Sequence, residues 1–127
     1  MKGECRARVA AHLAAYRGLV KGSTASAAVR AKFETVYFSD QVLLLDAYFV
    51  HRTRALEGKD GNAMNEVRVL CTSMLTNSGR LLADKQIKLA PAKSVLGLKV
   101  GDEIALTEAG FVRLSSAYFE AIGRTFD

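Results

Sequence analysis

The stretch AAVRAKFETVYFSDQVLLLDAYFVHRTRAL, residues 27–56, decides how this chain folds. Twelve of the eighteen positions from Phe33 to Val50 are apolar, while Ser39, Asp46 and Thr53 recur at seven-residue spacing and form one narrow polar stripe. A helix that is apolar around most of its circumference lies at the centre of its bundle or in an interface between copies. Its end is marked by Arg52 and Arg54 and then Gly58, because cations suit the last helical turn and glycine the position just beyond it.

Working outward, Met64, Val67, Cys71 and Met74 fall three, four and three residues apart, with Leu70 and Leu75 widening the stripe, so a second amphipathic helix follows. Asp60 or Asn62 is its expected N-cap, and the Asn77, Ser78, Gly79 cluster its stop. Five residues, Gly58 to Asn62, join the two helices, which are therefore expected to pack antiparallel. Near the C-terminus, Phe111, Leu114, Tyr118, Ile122 and Phe126 make a long helical stripe, capped by Thr107. Between them the pattern is short and mixed. Gln86 to Leu89 alternates and reads as a short strand closed by Pro91, residues 94–98 as one helical turn, and Ile104 to Leu106 as a second strand able to pair with the first. The fold class expected is mainly α: a small helical domain with a central buried helix and a short two-stranded β element before the C-terminal helix.

On the N-terminal side, Val9, Leu13, Tyr16 and Val20 place a helix over residues 5–20, and Gly22, Ser23, Thr24 and Ser26 make a joint that can cap the next one. Residues 1–26 are expected to form a basic arm, helical or partly mobile, and residues 27–127 a single globular helical domain. At 127 residues with 50% hydrophobic and 24% charged side chains, the chain has enough apolar material for one core without disulfides or metal.

The net charge of +5 is unevenly spread. Residues 1–33 hold seven basic side chains against one acid, and the other 94 hold eleven against twelve. Any nucleic-acid contact is thus expected from the arm, through Arg6, Arg8, Arg17 and Lys21. Two cysteines 66 residues apart make no disulfide framework and no metal or redox pair, which suits reduced thiols in the cytoplasm. No apolar run approaches a membrane span, and Arg6, Arg8, His12 and Arg17 interrupt any secretory h-region, so neither membrane nor secretion is expected.

The densest polar cluster is the one candidate for chemistry. His51, Arg52, Arg54, Glu57, Asp60, Asn65 and Glu66, with Lys59, Asn62 and Arg68 among them, surround the end of the central helix and the start of the next. Paired guanidinium groups beside a helix N-terminus suit a small anionic ligand. The same residues also read as ordinary ion pairs and helix stop and start signals. His51 shares the apolar side with Leu44, Tyr48 and Ala55, where a histidine is more often hydrogen-bonded structure than base or ligand. Asp46 reads as part of a wet stripe or as a register device in a helix interface, and Cys71 as core. No metal is expected: HExxH is absent, and an EF-hand register from Asp60 puts Met64, Arg68 and Cys71 where oxygen ligands belong. No nucleotide or hydrolase motif is present, so no cofactor and no catalytic residue is assigned.

The segments VLLLDAYFVHRTRALEGKDGN, NEVRVLC and SVLGLKVGDEIAL, with Phe111 and Tyr118-Phe119 after them, resemble a family of small actinobacterial proteins over residues 33–126. The resemblance implies a free-standing bacterial protein and brings no activity or site residue with it. The leading expectation is a non-enzymatic, self-associating scaffold or interaction protein, a homodimer through the apolar helix. The alternatives are a small-anion-binding protein or enzyme at the polar cluster, and a nucleic-acid binder through the arm.

Overall fold

A computed structural model describes residues 2–126 other than 57, 59, 85, 86 and 88, with side chains for all of these except 2, 50–56, 125 and 126. Among the described residues there are four helices: α1 Lys2–Gly22, α2 Ala27–Leu56, α3 Ala63–Thr76 and α4 Glu108–Phe126. Three of them begin as their sequences dictate. Ser26 Oγ accepts the Val29 N–H at 3.2 Å, Asn62 Oδ1 that of Asn65 at 3.0 Å, and Thr107 Oγ1 that of Gly110 at 3.0 Å. Each cap satisfies one of the N–H groups that a helix start leaves without a partner.

The core is organised by α2. Phe38, Val42, Leu45 and Phe49, four, three and four residues apart, are fully buried on one side of it. Phe38 stacks on Phe111 with ring centroids 5.2 Å apart, and Phe49 meets Tyr118 at 5.8 Å, so α2 and α4 run in the same direction. Cys71 reaches the Val42 carbonyl and Asn65 the Gly58 carbonyl, which sets α3 antiparallel to α2. α1 runs back along both: Tyr16 packs edge-on against Phe38, Arg6 lies over Phe119, and Arg17 pairs with Glu108. Cys5, Val9 and Tyr16 of α1 are buried by these contacts.

The expected two-stranded β element is not found among the described residues. Among the described residues the only ladder feature is a single antiparallel bridge between Arg80 and Glu103. The reason lies in how α3 ends. Ser78 and Gly79 both take left-handed backbone conformations, φ 56° and 75°, and turn the chain straight back so that residues 79–81 meet 101–104. The Ile104 N–H then goes to the Gly79 carbonyl at 2.8 Å, and the Leu81 N–H to the Asp102 carbonyl at 2.8 Å. With that pairing made, Ile104 has no N–H to offer Ile87 or Leu89, and residues 86 and 88 of the proposed strand lie outside the described ones. Residues 94–96 are likewise bends and 97–98 irregular, rather than a helical turn. Ile87, Ile104 and Leu106 are nevertheless buried, so the apolar pattern reports burial without a sheet.

Truncating the centre of the α2 stripe tests this packing. Leu45→Ala is expected to cost about 3 kcal/mol in urea unfolding, whereas Leu75→Ala on the exposed edge of α3 changes stability by less than about 0.5 kcal/mol.

Candidate functional site

The polar residues at the α2–α3 junction divide into two groups. His51, Arg52, Arg54, Glu57 and Lys59 have side chains outside the described ones. The rest do not gather around one cavity. Asn65, fully buried, accepts the Gly61 N–H at 2.9 Å and donates to the Gly58 carbonyl at 2.9 Å, so it staples the joint between the helices. Asn62 caps α3 and donates to Asp60 at 2.6 Å.

Glu66 is the most telling of them. It is 3% exposed, and its two carboxylate oxygens accept the backbone N–H groups of Val95 at 2.8 Å and Leu96 at 3.0 Å. A carboxylate taken out of water needs compensating donors, and two adjacent N–H groups supply them as a helix N-terminus would for an anion. Its role is to tie the segment after Pro91 to α3. Its partners lie 29 and 30 residues away and are main-chain groups, which no side-chain pattern announces.

What faces water at this end is a shallow depression of about 320 Å³ lined by Asp60, Asn62, Met64, Ala121 and Arg124. Arg124, which the sequence reading did not single out, sits 3.7 Å from Glu120 one turn earlier. Its signal was its place in the last turn of α4, beside the apolar stripe. Among the described residues the arrangement offers one guanidinium and one carboxylate, both solvated, and no set of groups positioned for bond-making.

The basic residues of α1 are also divided. Arg6 lies over the Phe119 ring, 4.9 Å from its centroid, and Arg17 bonds to Glu108 at 2.6 Å, both toward α4. Arg8 instead lines an open groove of about 520 Å³ with Glu4, His12 and Tyr48, on the side toward α2. In that groove His12 Nδ1–H donates to the buried Gln41 amide oxygen, while the Tyr37 hydroxyl donates to the His12 carbonyl at 2.9 Å. Lys21 is exposed at the far end of the helix. The four cations named for nucleic acid thus form no single stripe.

Neither thiol is placed for nucleophilic work. Both cysteines are buried and outside any disulfide, and burial pushes the Cys5 thiol up to about 11 against the smaller opposing effect of Arg8. Burial likewise raises Tyr16 and Tyr37. No group of three or more potential metal-ligating side chains occurs among the described residues, and no helix there is long and apolar enough to cross a membrane.

A further surface feature is apolar. Leu19, Val20, Ala25, Val29 and Phe33 line a cleft of about 200 Å³ at the α1–α2 joint, with Ser23 and Arg30 at its edge. Arg30 is held there by a 2.6 Å bond to the Ala25 carbonyl. Above the cleft Val36 continues the exposed apolar surface along α2.

Two expectations check these assignments. Glu66→Ala strands the Val95 and Leu96 N–H groups, costing about 2 kcal/mol and speeding amide exchange at both positions. For Cys5, the folded chain keeps a proton that the unfolded chain releases from about pH 9.0. Its contribution is intact below that pH and is lost as the pH rises toward about 11, so wild type loses more stability across this interval than Cys5→Ala.

Compared with protein-family models, with curated proteins and with solved structures, the chain matches none, and the likeness of residues 33–126 to small actinobacterial proteins has no counterpart in those comparisons.

Proposed function

We propose that this chain is a non-enzymatic, self-associating scaffold or interaction protein that works by contact rather than by chemistry. One observation carries the reading. On the side of α2 away from the core, Val29, Phe33 and Val36 are 60%, 41% and 56% exposed and lie four and three residues apart, next to Leu19 at 57%. Single exposed apolar side chains are ordinary, but a row of them beside an apolar cleft is the mark of a surface meant to be covered. The apolar circumference of α2 is thus only partly used inside the chain.

Binding of a small anion at the α2–α3 junction has less support, because Asn65 and Glu66 spend polar atoms on the backbone. Nucleic-acid binding through α1 is weakened in the same way by the engagement of Arg6 and Arg17 with α4. Two buried thiols outside any disulfide go with a cytoplasmic setting.

Sedimentation between about 1 and 100 µM tests the proposal, the range in which a modest apolar interface associates. The mass should rise toward twice that of the monomer, and Phe33→Glu should remain monomeric with unchanged helical circular dichroism. A wild-type chain that stays monomeric at the highest concentration ends this reading.

A further inference from the structure

The outward face of α2 has the spacing of a helix-pairing seam. Val29, Phe33, Val36, Asp40, Leu43 and Ala47 follow one another at intervals of four, three, four, three and four residues. That is the alternation of core positions in a coiled coil, maintained over about 27 Å of helix. All six are exposed except Leu43, which is half-buried. The seam lies opposite Phe38, Val42, Leu45 and Phe49, so it can be covered without disturbing the core.

Building on the self-association reading above, we propose that two copies pair through α2, antiparallel about a two-fold axis near residue 38, with Phe33 of each copy against Leu43 of the other. This register sets every seam residue opposite another: Val29 faces Ala47, Phe33 faces Leu43, and Val36 faces Asp40. Moving the axis along by half a heptad leaves part of the seam uncovered.

Charge selects the direction. A parallel pair would set Asp40 against Asp40 in the seam, a like-charge contact, and would put Lys32 of one copy on the opposite flank from Asp46 of the other, where the two cannot pair. The antiparallel pair staggers the two Asp40 side chains by about 6 Å along the axis and brings Lys32 to about 3 Å in height from Asp46 and 6 Å from Asp40 of the other copy. Lys32 is exposed, and Asp46 also has an interaction within its own chain. Asp40 at a core position weakens the pair while fixing its register, as polar residues in coiled-coil seams do. The contact is self-complementary, as a two-fold interface must be. Its length places it at the small end of stable interfaces, so the dimer should dissociate in the micromolar range.

Cross-linking with a short bismaleimide tests the arrangement in the full chain. Cys5 and Cys71 are buried, and the wild type serves as the blank. Ser39→Cys, beside the axis, should link to itself. Val29→Cys and Ala47→Cys should each fail to link alone and should link when mixed. Separately, Lys32→Glu should weaken association roughly tenfold, and Asp40→Lys added to it should restore the dimer. Self-linking of Val29→Cys and of Ala47→Cys would overturn the antiparallel arrangement while leaving self-association in place. A dimeric mass without these links would likewise overturn the α2 pairing alone. A monomer at every concentration would overturn both.

Discussion

The burial of Phe38, Val42, Leu45 and Phe49 along one side of α2 is what every other element is arranged around. Phe38 receives Phe111 from α4 and Tyr16 from α1, Phe49 receives Tyr118, and the Val42 and Leu45 carbonyls accept from Cys71 and Tyr118. Each neighbour touches the same row of side chains, so the directions of α1, α3 and α4 follow from where along that row they meet it. Fully burying four such residues contributes roughly 1.5–3 kcal/mol each before conformational entropy is set against it, more than any exposed ion pair in the molecule supplies.

The segment between α3 and α4 is held by different means. It has too little regular structure to satisfy its main chain by backbone pairing alone, so side-chain carboxylates do so. Glu66 accepts from Val95 and Leu96, Asp84 accepts the Ile87 N–H at 2.8 Å, and Asp102 accepts that of Lys99 at 2.8 Å. Carboxylates that would look like surface charges in the sequence are here acceptors for backbone donors. Ile87, Ile104 and Leu106 can then be buried without a sheet.

This division explains what the sequence made legible. The four helices and the caps at Ser26, Asn62 and Thr107 depend on spacing and on residues one turn apart, and both can be read locally. The β element could not be read correctly, because Ile87, Leu89, Ile104 and Leu106 alternate as strand residues do, while the choice of pairing partner was made by the left-handed turn at Ser78 and Gly79. At the polar cluster, residue type suggested convergence, yet Asn65 and Glu66 face main-chain groups that carry no side-chain signal, and Arg124 arrives from a helix more than fifty residues away. For α2 the excess of apolar circumference was evident from residues 33–50. Which side would remain open depended on where α1 and α4 settled, and the open side begins earlier, at Val29.

The bond from the Tyr118 hydroxyl to the Leu45 carbonyl joins residues 73 apart, whereas α2 and α3 are joined across residues 57–62. Those two closures differ in entropic cost, since bringing distant chain segments together requires ordering a longer loop. The α1–α2 and α2–α3 hairpins, joined across residues 23–26 and 57–62, are therefore the cheaper closures, and α4 is expected to dock last. Until it docks, the Phe38 to Phe49 row lies open as well as the Val29 to Val36 row, and α2 is sticky on two sides at once. The kinetic vulnerability of this chain to aggregation is thus concentrated in the interval before its last helix arrives.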